Sequence, residues 1–168
     1  MTDSDFYNRQ SDKLLEPYGN YEERLWGEIS NLEPEMVIYN YDAPINVKYN
    51  DCHNNVIKFV NYARYKWPFE VRRALGWIPG FWKCDGDPII CGYAIHSVVE
   101  TPAGYVDITP SKLFNITGFS LFIPDNRLKV NGKKFEIDDV TVRDVRSPEF
   151  YSYLRKIQKQ DVVDMLIK

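Results

Sequence analysis

Apolar and polar positions alternate along the chain in three different ways, and each predicts a different kind of segment. Residues 1–20 are polar with no recurring apolar position, and they read as a loosely held arm. From Tyr21 to Leu32 the residues Leu25, Trp26 and Ile29 share one helical face, Asn20 stands where an N-cap belongs, and Pro34 ends the segment. Residues 35–50 hold Pro44 and several aromatics and read as extended. A sharper helical pattern follows. Val56, Phe59, Val60 and Ala63 recur at three- and four-residue steps behind the capping residues Asn50 and Asp51, which predicts a helix to about Lys66 with Cys52 in its first turn. Pro68 closes it.

Beyond Pro68 the pattern changes to strands. Phe69 to Phe81 is a long aromatic run, interrupted at Gly76 and at Pro79-Gly80. Lys83 to Pro88 is a turn cluster, Ile89 to Glu100 a β-rich run, Thr101 to Gly104 a turn, and Tyr105 to Thr109 a second strand. Short strands are expected near 119–123 and 133–137, with Asn131-Gly132 as a turn signal. Ser147-Pro148-Glu149 opens a C-terminal helix, with Ser as N-cap and Pro at the first helical position. Helices flank a block of mostly antiparallel strands, which is an α+β arrangement and not alternating βαβ.

Composition narrows the class. At 168 residues the chain is expected to form a single domain, and a chain of that length buries roughly 70% of its unfolded surface. Net charge of −3 provides no basic face for nucleic acid. The apolar stretches fall well short of the ~18 residues that a membrane span needs. The start, Met1-Thr2-Asp3-Ser4-Asp5, is acidic, unlike a secretory signal, and three cysteines cannot all pair with one another. A cytoplasmic protein with reduced thiols is therefore expected.

Three residues carry the candidate chemistry: Cys52, His96 and Asp107. A thiol nucleophile needs a base, and the base needs a carboxylate to hold its tautomer and its charge. The first turn of a helix also favours a thiolate, because unpaired N–H groups and the helix dipole stabilise negative charge there. If Pro102 and Ala103 form a plain two-residue turn, paired positions sum to 205, and His96 and Asp107 share a sheet face one diagonal apart. A bulged three-residue loop would instead put them on opposite faces. Taken singly, each residue has an ordinary explanation: a small buried hydrophobe, a satisfied strand histidine, a surface carboxylate. Their order along helix and strands is what joins them.

The segments Asp51-Cys52-His53-Asn54-Asn55-Val56, Gly76-Trp77, His96-Ser97-Val98-Val99 and Gly104-Tyr105-Val106-Asp107-Ile108-Thr109-Pro110 resemble a group of largely uncharacterised bacterial proteins. Their pattern is Cys-His-x-Asn-Val, Gly-Trp, His-x-Val and Gly-x-x-x-Asp-(Ile/Val)-Thr-Pro. The order helix-Cys, strand-His, strand-Asp is also similar to transglutaminase-like and papain-like thiol enzymes, and the resemblance covers residues 50–110, a catalytic-like core. It implies a Cys-bearing helix packed on an antiparallel sheet. It also implies Cys52 as nucleophile, His96 as base and then acid, and Asp107 as orienter. The implied activity is a cysteine-dependent amide hydrolase or acyl transferase (protease, deamidase or transglutaminase-like), acting through a thioester on a protein or peptide amide. The Cys52 N–H would form half of an oxyanion hole, with Asn46 or Asn50 as candidates for the other half. His53 follows Cys52 by about 100° around the helix and reads as a packing or cap residue. A non-catalytic interaction domain that retains the fold is the alternative.

A zinc site is the competing chemistry, with Cys52, His53, Cys84, Cys91 and His96 as soft ligands. The spacings do not suit it, since no Cys-x-x-Cys pair exists and Cys91 and His96 lie on opposite faces of a regular strand. No metal or cofactor is expected. Gly86 and Gly92 form no phosphate cradle. Trp67, Trp77, Phe81 and Trp82 suggest either a cleft or ordinary core packing.

Overall fold

A computed structural model describes residues 2–40, 42–84, 87–110 and 120–167. In chain order the elements are α1 (Asp3–Leu14), α2 (Asn20–Ser30), β1 (Glu35–Tyr39), α3 (Cys52–Arg64), β2 (Arg72–Cys84), β3 (Asp87–Thr101) and β4 (Gly104–Asp107). They continue with β5 (Ser120–Pro124), β6 (Lys129–Asn131), β7 (Lys134–Ile137), β8 (Val140–Val142), β9 (Val145–Arg146), α4 (Pro148–Leu154) and α5 (Lys159–Ile167). The fold is α+β. Its main sheet has the order β2-β5-β1-β4-β3-β9, and a further β2–β3 pairing closes the first five strands into a small barrel. β1 runs parallel to β4, whereas the β1–β5, β2–β5, β3–β4 and β3–β9 pairs are antiparallel. Among the described residues, no helix is long and apolar enough to cross a membrane.

A single domain was expected, and the contacts divide the chain into two compact units that interleave in sequence. The first comprises Met1–Ser30, Pro79–Tyr93 and Asp144–Lys168; the second comprises Asn31–Ile78 and Ala94–Arg143. In the first unit, residues 3–14 are helical where a loose arm was expected. A capping box explains it: the Thr2 hydroxyl accepts the Asp5 N–H (3.2 Å) and the Asp5 carboxylate accepts the Thr2 N–H (3.1 Å). The helix buries only Ser11, so it lacks the apolar stripe by which periodicity finds helices. At the other end of this unit the Ser147 side chain accepts the Phe150 N–H (2.9 Å) and Pro148 starts α4, as its sequence predicts.

The second unit is built from α3 and the β3–β4 hairpin. Val56, Phe59 and Ala63 of α3 pack on Val71, Val99 and Ile108. Val98 points instead into a second cluster with Val37, Ile78 and Phe122. Alternate residues of one strand thus serve two apolar clusters, which leaves no solvated side on this part of the hairpin. β2 is unbroken through Gly76 and Pro79-Gly80, contrary to the expected interruptions. At Gly76 the missing side chain lets β5 approach, since a Cβ there would overlap the Ile123 carbonyl oxygen and the Phe122 ring. Trp77 beside it is fully buried and donates its indole N–H to Asp125 (3.0 Å). The small sheet β6-β7-β8 turns at Gly132-Lys133, because Asn131 pairs with Lys134, and then at Asp138-Asp139, both with positive φ (51° and 64°).

Candidate active site

Cys52 is the first residue of α3, behind the N-cap Asp51. The side chain of Asp51 makes no capping bond to the helix backbone, contrary to expectation, and accepts instead from the Asn54 amide (2.8 Å). It therefore leaves the first-turn N–H groups without a side-chain acceptor, Cys52's own among them. Neither proposed second donor is shown to face the sulfur: Asn46 is exposed, and the Asn50 N–H bonds the Pro110 carbonyl (3.0 Å). What fixes this end of α3 is Asn55, which is fully buried. Its carbonyl accepts the Lys48 N–H (3.0 Å), and its amide donates to the Lys48 carbonyl (2.8 Å) and to the Thr109 hydroxyl (3.1 Å).

His96 comes from β3 and Asp107 from the end of β4. Val99 pairs with Val106, Glu100 with Tyr105 and Thr101 with Gly104, so the turn is the plain two-residue form at Pro102-Ala103. In that register His96 and Asp107 share a face, and the His96 Nε2–H donates to Asp107 Oδ2 at 2.6 Å. The Thr109 N–H donates to the other carboxylate oxygen (2.9 Å). Asp107 is thus held on both oxygens, and a line of hydrogen bonds runs from Asn55 through Thr109 and Asp107 to His96. With Nε2 occupied, Nδ1 is the ring nitrogen left to act on the Cys52 thiol, which His96 lowers.

The electrostatics follow from those contacts. Burial pushes the Cys52 thiol up, but hydrogen bonds from His53 and His96 and their electrostatic attraction outweigh it, bringing the thiol from 9.0 down to about 6. Burial pushes His96 down, but the charge and hydrogen bond of Asp107, with the Cys52 sulfur, hold it protonated, up to about 10. Both shifts run in the direction that favours a thiolate beside an imidazolium over the neutral pair.

All three residues singled out from sequence meet here. His53 was read as packing or a cap, and it does pack, with its ring 4.4 Å from that of Phe135. It also bonds Ser97 Oγ through Nδ1 (2.5 Å) and is among the groups that lower the Cys52 thiol, an influence the ~100° helical step had argued against. Sequence reasoning gave no role to Ser97, Asn55 or Thr109, although Asn55 and Thr109 are fixed positions of the resemblance pattern quoted above and Ser97 falls at a variable one. Trp77 belongs to the core and not to a cleft, and Trp67 packs on Phe59 and Phe69. The side chains of Cys84 and Trp82, and Gly86, lie outside the described residues. Among the described residues no group of three or more His, Cys, Asp and Glu is arranged to hold a metal. Comparison with protein-family models, with curated proteins and with solved structures finds no match for this chain.

Proposed function

We propose that the protein is a cysteine-dependent amide hydrolase or acyl transferase of the transglutaminase-like or papain-like kind, acting on a protein or peptide amide through a thioester. One observation carries the reading: His96 is bonded through Nε2 to a buried carboxylate, and the same imidazole lowers the Cys52 thiol. In the first step the Cys52 thiolate attacks the amide carbonyl carbon and the carbonyl oxygen becomes an oxyanion at the first turn of α3, within reach of the Cys52 N–H. The C–N bond breaks, the departing amine takes the proton from the His96 imidazolium, and a thioester remains. Neutral His96 then removes a proton from water, or from an acceptor amine, as it adds to the thioester. The thiolate is expelled and His96 again carries the proton. Asp107 keeps the imidazole oriented and stabilises its charged form throughout.

The test is the pH dependence of Cys52 alkylation, followed by mass spectrometry on the native protein. Wild type is expected to react with a midpoint near 6, and His96→Ala to return it towards the ordinary thiol value of ~8.5. An ordinary midpoint in wild type removes the thiolate–imidazolium pair and the proposal with it.

A further inference from the structure

Residues 58–73 carry five basic side chains and one acidic, Glu70, in a chain whose net charge is −3. They run from the second half of α3 into the start of β2, inside the second compact unit. A concavity of about 370 Å³ lies between the two elements. Val60, Phe69 and Val71 give it an apolar lining, and Arg64, Arg72, Arg73 and Glu70 a charged one. Phe69 is 45% exposed but held in place. Its ring lies 5.2 Å from that of Trp67, which meets the core residue Phe59 edge-on at 5.1 Å. A propped aromatic ring of this kind offers a ligand a rigid apolar wall.

The charges around the concavity are not balanced within it. Arg72 reaches Glu100 (3.4 Å) and, more loosely, Glu70 (3.9 Å). Arg64 and the half-buried Arg73 have no ion pair or side-chain hydrogen bond among the described residues. A guanidinium presents a planar fork of donors that matches a carboxylate. An inorganic anion would meet these arginines and leave the Phe69 wall uncovered. A nucleic-acid backbone needs a basic groove that tracks it, whereas these charges converge on one concavity. A ligand that carries carboxylates and an apolar side chain together matches both linings.

We propose that this concavity is a docking site for an acidic peptide segment, with its carboxylates on Arg64 and Arg73 and an apolar side chain against Phe69, Val60 and Val71. Cys52 begins α3 and Arg64 ends it, which puts them about 18 Å apart at a helical rise of ~1.5 Å per residue. The site is therefore distinct from the thiol, and it does not rest on the chemistry proposed there.

The experiment is fluorescence anisotropy of a labelled peptide of alternating Glu and Leu, titrated with the full chain at low salt. Saturable binding is expected, weakened about tenfold when Arg64→Ala and Arg73→Ala are combined. Raising the salt from ~0.05 to ~0.5 M should weaken it too, because the contacts are near the surface. Phe69→Ala should weaken binding and leave that salt dependence in place. Peptides alternating Lys with Leu, or Glu with Ser, should bind at least about tenfold less well. Absence of saturable binding overturns the proposal, as does equal binding of the Lys-Leu peptide or an unchanged affinity in the double variant. Displacement by inorganic phosphate or by a single-stranded oligonucleotide as effectively as by unlabelled peptide overturns it as well, since the site would then have no preference for a peptide. Unfolding curves identify folded variants, and should the double variant not fold, the exposed Arg64→Glu decides: an unchanged affinity overturns the site.

Discussion

The Arg146 guanidinium in the first compact unit and the Cys52 thiol in the second are both ionisable groups withdrawn from water, and they differ in how their neighbours hold them. A guanidinium has five N–H donors, and every one of Arg146's has an acceptor. Nε–H bonds Glu22 (2.9 Å); one terminal nitrogen bonds the Leu14 and Glu16 carbonyls (2.6 and 2.5 Å); the other bonds Glu22 (2.6 Å) and the Pro17 carbonyl (3.3 Å). Tyr18 and Tyr151 lie over its two sides, with ring centroids 5.5 and 4.9 Å from the guanidinium carbon. Nothing remains for a ligand. That centre ties the α1–α2 connection to β9, and its chemistry is finished at folding.

The Cys52 centre is braced by a line of hydrogen bonds that ends at His96. Asp107 is bonded on both oxygens and His96 on its Nε2, so the bracing groups are as satisfied as those around Arg146. The thiol at the end of the line is lowered by the neighbouring imidazoles, at the start of a helix whose N-cap side chain makes no capping bond. A buried charge that is fully bonded contributes rigidity. The proposed chemistry needs the other kind, a buried group whose proton can still be exchanged.

Three measurements press on that contrast, taken from the largest expected effect down. Arg146→Ala should destabilise by about 3–5 kcal/mol in denaturant unfolding, because it strands the Glu22 carboxylate and three carbonyls. A loss below ~1 kcal/mol would mean the closed centre is not structural. Asn55→Ala should cost about 2–3 kcal/mol by the same method, since it takes their partner from the Lys48 N–H and carbonyl and from the buried Thr109 hydroxyl. It should also loosen the alkylation behaviour of Cys52, whereas a purely local defect would lower stability and leave the thiol unchanged.

The third measurement is stability against pH. The depressed Cys52 value contributes stability that is fully present above 9.0 and is lost as pH falls towards about 6. The raised His96 value contributes stability that is fully present below 6.5 and is lost as pH rises through about 10. Between roughly 6.5 and 9.0 the two cancel. Folded and unfolded chains each hold one proton there, on His96 in one and on Cys52 in the other, so the pair gives a flat profile. Cys52→Ala removes the compensation, and its stability should fall with pH above 6.5 by up to about 1.4 kcal/mol per unit. A flat profile in that variant would show that His96 is not held protonated by Asp107.

The sequence by itself determined the local elements that have local causes. The apolar steps of Val56, Phe59 and Ala63 placed α3, Ser147-Pro148 started α4, and Thr101 to Gly104 defined a turn whose two-residue form, one of two the sequence allowed, puts His96 and Asp107 on one face. Those were enough to bring Cys52, His96 and Asp107 into one candidate site, because a helix start and a two-residue hairpin each set direction within a few residues. Helix α1 was legible only through its capping box, since a helix that buries a single serine leaves no periodic trace. The very short strands β8 and β9, and the parallel β1–β4 pairing, left no local signature. Only the tertiary structure decided what surrounds the site: Ser97 behind His53, Asn55 across to Thr109, and the five acceptors around Arg146. Each joins residues far apart in sequence, and a hydrogen bond between distant residues depends on where the folded backbone places both ends. No spacing along the chain records that.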